Sequence, residues 1–134
     1  MPIPWTEDLS VNVKEIDDQH KYFLSLLNEL YISLYSSKID ENIRIIVHNL
    51  ETYAKMHFET EEKYFDMFNF EGAEEHKLKH RELLNKVREL TQQNEKHGSD
   101  ILVQLMDFME DWLVDHLSSM DKKYVKCFND HGLL

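Results

Sequence analysis

A chain of 134 residues, 42% apolar and 31% charged, has the length and composition of a folded domain around a single core, so residues 1–134 are read as one domain. Three glycines and two prolines leave few turns, which favours long helices over many short strands. A net charge of −11 repels nucleic acid and anionic membrane surfaces, and no run approaches roughly 18 consecutive apolar residues, so neither partner and no membrane span is expected.

Residues 1–15 hold both prolines and Trp5 and show no helical period, so they are expected as an extended arm laid over the domain. They also lack a basic start followed by an apolar run, so no secretory leader is expected. The first periodic run is Ile16, His20, Phe23, Leu24, Leu27, Leu30, Tyr31 and Leu34, with Asp17 or Asp18 as its cap and Ser36-Ser37-Lys38 as its break. The second is Ile43, Ile46, Val47, Leu50, Tyr53, Ala54, His57, Glu61 and Tyr64; Asp40 caps it, and Gly72 punctuates the stretch Asn69-Phe70-Glu71-Gly72 beyond its end. The third is Ala73, His76, His80, Leu83, Leu84, Val87 and Leu90, closing near Gly98 as the residue after the helix. The fourth, after a Ser99 or Asp100 cap, is Ile101, Leu102, Leu105, Phe108, Trp112 and His116.

Each helix is expected at roughly 20 residues, about 30 Å, with short connections. Short links between long amphipathic helices impose antiparallel neighbours, so the expected fold is all-α: an up-down-up-down four-helix bundle with an extended N-terminal arm and a short C-terminal helical tail over 119–134. Cys127, the single cysteine, lies in that tail; it excludes an intramolecular disulfide, suits a reducing cytoplasm and reads as a passive small hydrophobe. The acidic surface favours a monomer.

Five of the eight histidines (His20, His57, His76, His80 and His116) occupy positions where the stripes call for an apolar residue. His48 lies about 180° from His57 on its helix and faces away, while His97 and His131 fall in a loop and the tail. One histidine on an apolar face is ordinarily a satisfied core residue. Burying five imidazoles and a carboxylate without partners costs roughly 2 kcal/mol or more per group, against a total stability of about 5–15 kcal/mol. A metal satisfies them together, since neutral imidazole and ionised carboxylate are both ligands.

Depth agrees with this reading. His20 stands near the start of its helix, His57 and Glu61 toward the end of theirs, His76 and His80 near a start and His116 near a finish, which is one end of an up-down-up-down bundle. His57/Glu61 and His76/His80 are i,i+4 pairs that aim two ligand atoms at one centre. Glu59 and Glu62 lie about 200° and about 140° from His57 and do not share its face. Asp121 follows His116 by five residues, about 140° off in a regular helix. It reaches the centre only if the helix loosens by a π-type turn or a break at Leu117-Ser118-Ser119-Met120; otherwise it is a surface residue, and Asp17 is a rival.

His20, His57-x-x-x-Glu61, His76-x-x-x-His80 and His116-x-x-x-x-Asp121 together resemble the seven-ligand pattern of hemerythrins, and the arm IPWTEDLSVNVKEIDDQH is similar to the start of the single-domain bacterial members, the bacteriohemerythrins. The resemblance implies a non-haem di-iron centre that binds dioxygen reversibly. His76, His80 and His116 would hold one iron, and His20 and His57 the other. Glu61 and Asp121 would bridge both beside an oxo or hydroxo group. Two octahedral irons so ligated keep one position open for dioxygen, on the iron held by two histidines. Phe23, Leu24, Leu27, Tyr53, Leu83, Trp112 and Leu113 are the expected wall of the oxygen pocket, with Trp112, one turn before His116, the foremost of them.

Ferritin-like di-iron oxidases use four carboxylates and two histidines, whereas this set has fewer acids, and no spare acid or lysine is placed to deliver a proton for O–O cleavage. Oxygen storage or delivery to oxygen-requiring enzymes is therefore expected, and not enzymatic turnover. A sensor of oxygen or redox state, acting through a separate partner, is the alternative. An oxidase, peroxidase or nitric-oxide reductase and a metal-free bundle are the remaining readings, and ligand type alone does not exclude zinc or manganese.

Overall fold

The computed structural model describes residues 3–94 and 101–134, and among these every regular element is helical. Four segments build the bundle: α1 (Lys14–Ser33), α2 (Ile39–Phe68), α3 (Ala73–Asn94) and α4 (Leu102–Trp112). A π-helical turn, Leu113–Leu117, continues α4; a 3-10 turn, Met120–Tyr124, and α5 (Val125–Asp130) follow. The α2 helix is longer than expected, at 30 residues, because its stripe runs without a break from Ile43 to Phe65. That stripe passes through Phe65 and not Tyr64: Phe65 is one turn beyond Glu61 and buried, while Tyr64 is partly exposed.

The apolar faces meet in one main core, where Leu26, Leu30, Leu50, Val87, Leu90 and Leu105 are among the buried residues. A second cluster of Val11, Val13, Ile16, Phe65, Tyr124 and Phe128 closes one end of the bundle. The arm supplies two of its members, so it is laid over the domain as expected, with a 3-10 turn at Glu7–Leu9. Three polar ties hold the arm down. Asn28 accepts from the Ile3 amide at 2.7 Å and donates back to its carbonyl at 2.9 Å. Asp17 accepts from Ser10 Oγ and the Val11 amide at 2.5 and 2.8 Å. Asn129 on α5 accepts from the Asn12 side chain at 2.8 Å.

The caps differ from expectation. Val13 precedes α1 and Lys38 precedes α2, neither with a side-chain cap; Asp17 and Asp40 sit inside the first turns, where a carboxylate still complements the helix dipole. Burial of Val13 and Ile16 starts α1 before the aspartates, and Asp17 then serves the arm. The α2 helix stops before Asn69 as expected, and it is Asn69, not Gly72, that ends it, in the left-handed conformation (φ 52°, ψ 48°). Gly72 has another reason to be glycine, since a Cβ there would stand 2.8 Å from the Phe70 ring. His97, Gly98 and the Ser99/Asp100 cap fall outside the described residues.

Candidate metal centre

Seven polar side chains lie between the main core and the end cluster: His20 from α1, His57 and Glu61 from α2, His76 and His80 from α3, His116 from the π turn and Asp121 from the 3-10 turn. Each is 3% exposed or less. Among the described residues, apart from the phenols of Tyr53 and Tyr124, the one other buried polar side chain is Ser33, which donates to the Glu29 carbonyl. His48 and His131 are exposed. Ligands from the start of α1, the end of α2, the start of α3 and the end of α4 meet at one depth only if successive helices alternate in direction.

The irregular backbone after α4 is what brings Asp121 inward. The π turn and the break at Ser118-Ser119 spend the five-residue offset from His116, so that Asp121 Oδ1 stands 2.9 Å from His116 Nε2. Asp17, the rival, is engaged with the arm, and Asp111 and Asp115 are exposed.

The donor atoms fall into two groups. Glu61, His76, His80 and His116 form one; His20, His57, Glu61 and Asp121 form the other, with all ligand atoms of each group within 4.8 Å of one another. Glu61 Oε1 joins them, at 3.2 Å from His57 Nε2 and 3.0 Å from His80 Nε2. Asp121 turns Oδ2 toward His20 at 2.9 Å and Oδ1 toward His76 at 2.8 Å. Two imidazole pairs approach nitrogen to nitrogen, His20 with His57 at 3.2 Å and His76 with His116 at 3.1 Å. Lone pairs so close repel unless a proton or cation lies between them. Both oxygens of Glu61 and of Asp121 are buried without an aligned hydrogen-bond donor among the described residues, as are Nδ1 of His20 and of His76. A donor set of imidazoles and unsatisfied carboxylates at one depth fits metal ions.

The electrostatics follow from the crowding. Burial and the Asp121 charge oppose ionisation of Glu61, yet the facing imidazoles, His57 foremost, hold its carboxyl below the ordinary range. Burial likewise opposes ionisation of Asp121, and His116, His20 and His57 hold it well below that range. His57 shows the reciprocal effect: burial alone would lower it, and the Glu61 and Asp121 charges push it up to about 9. At His116 burial prevails over Asp121 and the pKa falls.

Several residues that sequence reasoning passed over orient this set. His57 Nδ1 donates to Gln19 Oε1 at 2.6 Å; Gln19 Nε2 donates to Thr60 Oγ1 at 3.1 Å, and Thr60 donates to the Met56 carbonyl. His80 Nδ1 donates to Glu62 Oε2 at 2.9 Å. Glu62 does point away from His57, but the flank it occupies faces α3, and the identity of the neighbouring helix was the missing signal. Phe58 stacks on His80 (3.8 Å between centroids, 9°), and Phe65 and Tyr124 lie against His76. Of the expected pocket wall, Tyr53 stacks on His57 (5.2 Å, 10°) and Trp112 on His116 (3.7 Å, 12°). Phe23, Leu24, Leu27, Leu83 and Leu113 are buried in the same apolar core.

The chain as a whole is similar to known proteins. Residues 11–128 match the family model described as Hemerythrin HHE cation binding domain. A bacteriohemerythrin of Clostridium acetobutylicum is 28% identical over 126 residues, covering 90% of this chain and 97% of that relative. A myohemerythrin of Sipunculus nudus is 27% identical over 123 residues, covering 92% and 91%. A crystal structure of wild-type hemerythrin, 25% identical, superposes with a TM-score of 0.80 over 95% of this chain and 98% of that one.

Proposed function

The chain belongs to the hemerythrin family, and from that premise we propose that it binds dioxygen reversibly at a non-haem di-iron centre, for storage or delivery to oxygen-requiring enzymes. His76, His80 and His116 would hold one iron and His20 and His57 the other, with Glu61 and Asp121 placed to serve both. The observation that carries this reading is the pair of donor groups sharing Glu61. Bound iron supplies the reversible electron transfer to dioxygen that carriage requires.

The chain's own residues do the rest. Burial of all seven ligands excludes water, which would otherwise promote loss of reduced oxygen species. Gln19 and Glu62 fix the tautomers of His57 and His80, so that each Nε2 lone pair faces inward. The rings of Tyr53, Phe58 and Trp112 hold three imidazole planes in place. Phe23, Leu24, Leu27, Tyr53, Leu83, Trp112 and Leu113 form the apolar wall beside the gas. Burial and the two carboxylates raise the phenols of Tyr53 and Tyr124 well above their ordinary value, so both retain their protons near neutrality.

Carriage is favoured over sensing. Two bacteriohemerythrins carry little beyond this bundle, since the chain covers 97% and 95% of their lengths, whereas a sensor needs an output module or a partner. No helix among the described residues is long and apolar enough to cross a membrane. A cytoplasmic monomer agrees with the free cysteine Cys127 and the net charge of −11. Repeated cycles of oxygenation and deoxygenation of the diferrous protein test the function. The optical spectrum is expected to change on each exposure to oxygen and return on its removal; bleaching without recovery, or sustained turnover of a reductant, contradicts it.

A further inference from the structure

We propose that the two metal positions are unequal and fill in order, the one between Glu61, His76, His80 and His116 taking a divalent cation first and holding it more tightly. The inference rests on the di-iron reading and concerns what stands behind the ligands. His80 carries an anionic partner on its outer nitrogen, Glu62 at 2.9 Å, whereas the corresponding partner of His57 is the neutral Gln19 at 2.6 Å. A carboxylate behind an imidazole makes that imidazole a stronger donor to a cation, and a carboxamide does so less. The unpartnered Nδ1 atoms of His20 and His76 fall one in each group and do not change the balance. Each group has four donors, the second counting Asp121 where the first counts a third imidazole; Asp121 Oδ1 also stands 2.8 Å from His76 and 2.9 Å from His116, so its charge reaches both groups and the extra imidazole remains the difference.

Access points the same way. A surface groove of about 210 Å³ between α3 and the π turn is walled by Lys79, Phe108, Trp112 and His116, so a ligand of the first group borders it. Two other grooves, one beside Ile45 and one beside Lys14, include none of the seven. About a third of the Glu62 side chain remains exposed, so its charge is partly screened and an effect nearer the lower end of the outer-partner range is expected.

Titration of metal-free protein with Co²⁺, followed by visible absorption and by NMR of the two hydrogen-bonded Nδ1–H protons, tests the order. The His80 signal is expected to respond during the first equivalent and the His57 signal during the second. Glu62→Gln keeps a hydrogen-bond acceptor and removes the charge, so it is expected to weaken the first step about tenfold with little change in the second. Gln19→Glu is expected to strengthen the second step and narrow the gap. Circular dichroism of the metal-free variants separates these effects from misfolding. Both signals responding together at every ratio, His57 responding first, or Glu62→Gln weakening both steps alike overturns the ordering and leaves the di-metal site standing. Failure of the wild-type chain to bind two equivalents overturns the di-metal reading itself.

Discussion

The two ends of the bundle are buried to the same degree and stabilised in opposite ways. Around Leu26, Leu50, Leu90 and Leu105 the interior is apolar, and each buried leucine contributes roughly 1.5–3 kcal/mol by leaving water. Around Glu61 and Asp121 the interior is imidazole and carboxylate, and burial there is a cost that grows with every unpaired atom. Inaccessibility to solvent is therefore no measure of stabilisation. One end folds the chain; the other is carried by it until metal satisfies the ligands.

Substitutions at the two ends should separate these roles. Glu61→Ala removes the oxygen common to both donor groups, so iron content is expected to fall from two per chain to one or none. In the metal-free protein the same change takes a partner from buried His57 and is expected to cost about 3–5 kcal/mol, measured by urea unfolding. Leu50→Ala is expected to cost about 2–5 kcal/mol by cavity formation, equally with and without metal, at unchanged iron content. An iron-dependent effect of Leu50→Ala, or an unchanged iron content in Glu61→Ala, would break the comparison.

The pH dependence is a smaller effect with a defined sign. His57 in the metal-free fold is raised from 6.5 to about 9, so its contribution to stability is complete below about pH 6.5 and is lost as pH rises through 9. Metal at Nε2 must displace that proton. Affinity for divalent cations is therefore expected to rise as pH increases toward 9, by at most about tenfold per unit, with proton release on uptake at neutral pH. Calorimetry in two buffers of different protonation enthalpy measures the release. His116 adds nothing in this window, because burial lowers its pKa and it is already neutral there.

Much of this was legible in the sequence, because helical period and depth are both countable along a chain. The five histidines and Glu61 are polar intruders on apolar stripes, and spacing placed them at one end. Asp121 was legible only conditionally: a regular helix turns it away, and whether the backbone loosens after His116 depends on packing that periodicity does not encode. Gln19, Phe58 and Glu62 were missed for a different reason. They act across helix pairs, His57 with α1 and His80 with α2, and helix periodicity describes one helix at a time. The cap at Asp17 failed because buried Val13 and Ile16 set the start of α1, where tertiary burial outweighs a local capping preference; Asp40 lies in the first turn of α2, and nothing in the structure explains that earlier start.

The most direct test of the central claim is elemental analysis of protein purified under anaerobic conditions and checked for folding by circular dichroism. Two irons per chain are predicted. A fully helical, monodisperse sample that holds no iron, and takes up none from excess ferrous ion, would contradict the account.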